Sequence, residues 1–114
     1  MKPAHDYNAF TATVPLETVA PEHEPSPGCT AGATELGEFA GLEVGVWEMS
    51  QGVMHDTEAD EAFVVIDGEA TVEFLQPEHP SVQLRPGSVM VLSTGMRTRW
   101  TVHTPSVRKV YFAP

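Results

Sequence analysis

The sequence predicts an all-β fold, a small sandwich or barrel, from three observations. Short runs of alternating apolar and polar residues recur from residue 29 onward, separated by turn signals. No stretch carries the 3.6-residue period of an amphipathic helix. The turn signals are Asp67-Gly68, which suits a tight hairpin, Arg85-Pro86-Gly87, which suits a type II turn, and Thr104-Pro105-Ser106 between two last strands. About eight short strands without helices leave few architectures besides a two-layer sandwich or a closed barrel.

In chain order, residues 1–28 carry five prolines (Pro3, Pro15, Pro21, Pro25 and Pro27) and few apolar clusters, so they form an N-terminal arm. Within it "FTATVPLETV" alternates well enough to be a strand. Such an arm either crosses to a partner subunit or packs on its own domain. Residues 29–114 form the barrel. "LEVGVWEMS" is a strand with Leu42, Val44, Val46 and Glu48 on one face and Glu43, Gly45, Trp47 and Met49 on the other. "EAFVVIDGEATVEFL" reads as two strands joined at Asp67-Gly68, a dipeptide that readily takes positive φ. "VQLRPGSVMVL" holds a type II turn, with proline second and glycine third. "TRWTVHTPSVRKVYF" gives two last strands. No internal repeat or low-complexity tract interrupts this rhythm.

Composition bounds the function. At 114 residues, 41% of them hydrophobic, the chain is one globular domain with one core. No apolar run approaches the roughly 18 residues of a membrane span, and "MKPAHDYNAF" lacks the pattern of a secretion signal, so a cytoplasmic protein is expected. Cys29 is the single cysteine; it can form no internal disulfide and reads as an apolar filler. A net charge of −10 argues against binding nucleic acid. All 16 acids lie at or before Glu78, whereas Arg85, Arg97, Arg99, Arg108 and Lys109 lie after it. Late cationic strands can pair with early acidic ones, or an arginine can grip a ligand carboxylate. Glycine-rich phosphate loops and the GxSxG elbow are both missing from the sequence.

Glu61, Gly68, Pro86-Gly87 and Gly95 in "GSVMVLSTGMRTRW" are similar to the two motifs of the cupin superfamily. "GLEVGVWEMSQG", "VIDGEATV", "RPGSVMVLSTG" and "TPSVRKVYF" resemble the short cupins grouped with (S)-ureidoglycine aminohydrolase and the ethanolamine-utilisation cupins. The resemblance covers about residues 29 to 113 and implies a cupin-type double-stranded jelly-roll barrel behind a Pro-rich arm. Metal-binding cupins use two histidines and a glutamate in the first motif and a histidine in the second. Those positions fall here on His55, Thr57, Glu61 and Thr98, so the resemblance implies an incomplete metal set of His55 and Glu61. Either no metal is held, or a divalent ion (Mn, Fe, Ni or Zn) is completed by Asp56, Glu58, Asp60, Glu48 or His103. Strand parity would turn His55 and Thr57 together into the barrel, and Thr98, Trp100 and Val102 with them, leaving His103 outside.

Apolar residues of like parity, among them Phe63 beside Glu61 and Trp100 beyond Thr98, could line a small-molecule cavity. Glu48 and Glu61 are the carboxylates expected inside, and burial would suit either as an acid or base. Arg97 at the mouth is the residue to grip a ligand carboxylate, whereas His5 and His23 have no functional reading. The expected protein is a homodimeric cupin that binds a small molecule at a degenerate metal site. The alternatives are a metal-dependent hydrolase or lyase acting on a small amine, amide or ureido metabolite, and a structural partner subunit.

Overall fold

The computed structural model describes residue 1 and residues 3–114. Eight strands follow in order: β1 (Glu17–Thr18), β2 (Thr30–Phe39), β3 (Leu42–Thr57), β4 (Glu61–Asp67), β5 (Ala70–Gln76), β6 (His79–Leu84), β7 (Val89–Leu92) and β8 (Arg97–Ala113). A 3-10 turn at Pro21–His23 interrupts the arm. Among the described residues every pairing is antiparallel, along β1-β2-β3-β8-β4-β7, with β5 paired to β8 and β6 to β5. The all-β jelly roll expected from the sequence is therefore the fold.

Two long strands close the barrel. The first half of β3 pairs with the last half of β8, and the last half of β3 with the first half of β8. Between them the register jumps, from Ser50 opposite Ser106 to Gly52 opposite Val102. A bulge of this kind bends a strand, and here it carries both strands from one layer into the other. The two strands expected around Thr104-Pro105-Ser106 are thus one bent strand. The β6–β7 turn is type II as read: Ser88 N–H donates to Arg85 O at 2.8 Å, and Gly87 takes φ +95°.

The core lies between the layers. Met49, Phe63, Val65, Val72, Leu84, Leu92, Trp100, Val102 and Val107 are each at most 2% exposed. Fully burying one such side chain stabilises the fold by about 1.5–3 kcal/mol.

The arm packs on its own barrel. Only Glu17–Thr18 of the expected "FTATVPLETV" strand is a strand, set against Ala31 and Thr30. Upstream, Arg108 Nη1 donates to the carbonyls of Ala9, Phe10 and Ala12 at 2.9, 3.1 and 2.9 Å. The carbonyl of Pro15 lies so close over Gly32 that any side chain there would collide with it. Downstream, Ser26 N–H donates to Val53 O at 2.8 Å while Val53 N–H donates to Ser26 Oγ at 2.9 Å. Between these anchors, Pro21–His23 strap the barrel mouth. Cys29 ends the arm buried, 1% exposed, where burial pushes its thiol pKa up and leaves it the filler expected.

Candidate functional site at the barrel mouth

Register decides which residues reach the interior. Asp56 lies opposite Thr98, Met54 opposite Trp100, and Gly52 opposite Val102. Thr98, Trp100 and Val102 are buried and His103 is exposed, as parity predicted for β8. Their partners Met54 and Asp56 therefore form the inner face of β3. His55 and Thr57 sit on the other face, opposite Arg99 and Arg97. This corrects the expected inward pair by one residue, and a one-residue slip reverses every side chain. Inward positions run through Trp47 and Met49 up to the bulge and resume at Met54, so one parity does not hold along the strand.

Glu58 follows on the same side, 7% exposed, and its carboxylate accepts from Thr98 Oγ1 at 2.6 Å and Trp100 Nε1 at 3.2 Å. These two donors satisfy a carboxylate that would otherwise be costly to bury.

The interior holds a second charged group that the sequence reading passed over. Lys109 stands between Val107 and Tyr111 on the inward face of β8 and is 5% exposed. Its Nζ donates to Glu61 Oε2 at 2.6 Å. The same ammonium lies 4.6, 4.2 and 4.9 Å from the ring centroids of Trp47, Phe63 and Trp100. Aromatic faces attract a cation within about 6 Å, so three rings and one carboxylate cage this lysine. Phe63 and Trp100, the aromatic residues expected to line a ligand cavity, lie against Lys109. An inward cationic residue in an alternating apolar run was the sequence signal for it.

Above the cage the mouth opens. A cleft of about 300 Å³ is lined by Glu22, His23, Glu24, His55, Asp56, Thr57, Leu75, Arg97 and Thr98. A second, of about 410 Å³, runs beneath the arm along Val19, Ala20, Ala31, Ala33, Trp47 and Met54, and shares His23 and Asp56 with the first. His23 thus divides a polar cleft from a more apolar one. Its Nδ1 lies 3.1 Å from His55 O and 3.7 Å from Asp56 Oδ1. Burial, then the charge of Glu58, raises the Asp56 carboxyl pKa to about 6, against the opposing pull of His23. His55 Nδ1 is 3.4 Å from Glu24 Oε2 but not angled to hydrogen-bond it.

Late cations largely pair with early acids: Arg99 with Glu73 at 2.7 Å, Arg108 with Glu48 at 2.9 Å, Lys109 with Glu61 at 2.6 Å. Glu48 therefore lies on the outer face beneath the arm, away from the barrel interior where it was expected. Arg97 makes no ion pair among the described residues and projects into the polar cleft.

His55 and Glu61 are not brought together. The imidazole lies beside Glu24 on the outer face of β3, whereas the Glu61 carboxylate is bound to the Lys109 ammonium inside the barrel. Among the described residues, no three His, Cys, Asp or Glu side chains converge as metal ligands. A divalent ion with its need for several nitrogen or oxygen donors does not fit this set.

The model of the EutQ-like cupin domain matches residues 36–111. No curated protein matches the chain. Among solved structures, the Clostridium difficile EutQ protein is 21% identical, with a TM-score of 0.62 over 76% of this chain and 69% of that one. A putative ethanolamine utilization protein from Salmonella typhimurium is 25% identical, with a TM-score of 0.58 over 74% of this chain and 68% of that one. A protein of unknown function from Pseudomonas syringae pv. tomato is 21% identical, with a TM-score of 0.73 over 91% of this chain and 45% of that one.

Proposed function

The chain belongs to the EutQ-like cupin family, and from that premise we propose that it is a small-molecule-binding protein whose ligand seats in the polar cleft between Arg97 and the His23–Asp56 pair. One observation carries this reading. In a chain of net charge −10, Arg97 stands without a carboxylate partner among the described residues, and it stands in a cleft of metabolite size. An unpaired guanidinium offers a fork of N–H donors to a ligand carboxylate. Asp56 and Glu24 across the cleft suit an amine on the same ligand, and the likeness to an ethanolamine utilization protein supports that choice. The ligand is thus a small amino-carboxylate or a close relative.

Thermal-shift titration with glycine, β-alanine, acetate and ethylamine tests it. A ligand at a hundredfold excess over its Kd stabilises the fold by about 2.7 kcal/mol. Arg97→Gln is expected to weaken the carboxylate-bearing compounds roughly 10- to 100-fold, the worth of a charge-assisted hydrogen bond. Binding that Arg97→Gln leaves unchanged would move the ligand out of this cleft.

A second reading, turnover of a small amine, amide or ureido ligand, is favoured by Asp56. A carboxyl of pKa about 6 beside an imidazole can exchange protons near neutral pH. Ammonia or amine release by purified protein, lost in Asp56→Asn, would select it.

The proposal takes the protein as a homodimer. Cross-strand rows Val44, Phe112, Ala62, Val91 and Val110, Val64, Val89 make an uncharged outer face over β3, β8, β4 and β7. Val89 and Val91 are 74% and 72% exposed. Two copies of so acidic a chain repel except where neither presents charge, and an apolar face of this kind marks an interaction surface. Sedimentation should give a dimer for wild type and a monomer for Val91→Glu; a wild-type monomer would remove this part of the proposal.

A further inference from the structure

The disagreement between the cupin metal pattern and these residues has a chemical source in Lys109. We propose that the Trp47–Phe63–Trp100–Glu61 cage is a primary-alkylammonium site that the chain fills with its own Lys109, so that a covalently tethered ammonium holds the place of a diffusible cation in this barrel. The inference is independent of which ligand the mouth binds.

Geometry argues for an ammonium over a metal ion. The cage offers one carboxylate oxygen at 2.6 Å and three ring faces with centroids 4.2–4.9 Å from the nitrogen. Ring faces cannot replace the water or oxygen donors that a divalent ion demands, but they do stabilise a desolvated alkylammonium. The neighbouring carboxylates are engaged elsewhere: Glu58 accepts from Thr98 and Trp100, and Asp56 faces His23. Trp47 and Phe63 each pack against Trp100, at 5.4 and 5.8 Å between centroids, so the rings brace one another around the cation. The lysine enters from β8 at the position where Trp47 and Val65 flank it across both neighbouring strands.

Truncating the tether should turn the occupied cage into a receptor. Lys109→Ala removes the atoms of a propylammonium ion, and n-propylammonium chloride is the probe. The variant is expected to melt below wild type and to recover saturably with propylammonium, whereas equal concentrations of sodium or tetramethylammonium chloride do nothing. Wild type, its cage filled, and Lys109→Ala with Glu61→Gln, its carboxylate lost, should not respond. Equal responses in Lys109→Ala and wild type would overturn the proposal.

Two measurements on folded wild type keep it falsifiable should the variant not fold. Chelator-treated protein titrated with manganese, iron(II), nickel and zinc should show no stabilisation that Glu61→Gln removes; a saturable, Glu61-dependent response to any of them would overturn it. The chain has only two lysines, Lys2 and Lys109, so reductive methylation followed by mass spectrometry reads the cage directly. Lys109 should react at least tenfold more slowly than in the urea-unfolded chain, and equal rates would mean that the cage stands open.

Discussion

Lys109→Met is expected to destabilise the fold by about 3–5 kcal/mol, the cost of leaving one member of a buried ion pair unpaired. Methionine keeps much of the apolar stem, so lost packing accounts for little of that figure. What remains is the Glu61 carboxylate, 20% exposed in its side chain, facing three aromatic rings with no counter-charge. Its partial exposure places the effect toward the lower end of the range. Adding Glu61→Gln should restore most of the loss, because exchanging a whole buried pair for neutral groups of similar shape is often close to neutral. Urea denaturation of wild type, both single variants and the double variant closes the cycle. If the double variant is as unstable as Lys109→Met, the carboxylate is not the source of the cost, and the loss lies in the rings that pack around the ammonium.

The same pair marks the limit of what the sequence made legible. The turns at Asp67-Gly68 and Arg85–Ser88 follow from two or three adjacent residues and stand where their chemistry put them, but the hairpin expected at Asp67-Gly68 does not form, because β4 pairs with β7 and β8 while β5 pairs with β6 and β8. The inward face of the first half of β8 follows from period-two alternation, which is equally local; in the first half of β3 alternation left two faces to choose from, and Trp47 and Met49 face inward where Glu48 was expected. Beyond Ser50 the argument fails, because the bulge opposite residues 103–105 depends on how two distant strands bend together. That one residue moved His55 out of the interior and Asp56 into it. His23 was beyond reach for a similar reason: the arm's return across the mouth rests on Ser26 meeting Val53 and Arg108 meeting the carbonyls of Ala9, Phe10 and Ala12, contacts between segments far apart in sequence. Charge segregation did carry information. It anticipated the pairing of Arg99 and Arg108 with earlier acids, and the one late arginine in the mouth that lacks such a pairing, Arg97, is the one the proposed function uses.

Asp56→Asn is expected to stabilise the protein at pH 8 by about 2 kcal/mol and to have almost no effect at pH 4. In the folded chain the Asp56 carboxyl titrates at about 6, against an ordinary value of 3.8. Between those values the folded state holds a proton that the unfolded state has released. Stability therefore falls as pH rises from about 4 to about 6 and stays lower above it. At about 1.4 kcal/mol for each tenfold difference in proton affinity, the full penalty is at most about 3 kcal/mol. Access of water to a side chain that is 28% exposed reduces it. Other carboxylates titrate in the same range, so the difference between the wild-type and Asn profiles isolates this one. Glu58, His23 and Lys109 all act on the Asp56 carboxyl, the first raising and the others lowering its pKa, and they should shift the window's edges without reversing its sign. A flat difference profile would mean that Asp56 is solvated rather than held at the barrel mouth. A difference of the expected sign would identify the carboxylate whose ionisation the fold tolerates at a cost. An ammonium-bearing ligand seated between Asp56 and Arg97 would supply a counter-charge, so the same titration repeated with β-alanine should reduce the wild-type penalty above pH 6 and leave the Asn variant unmoved.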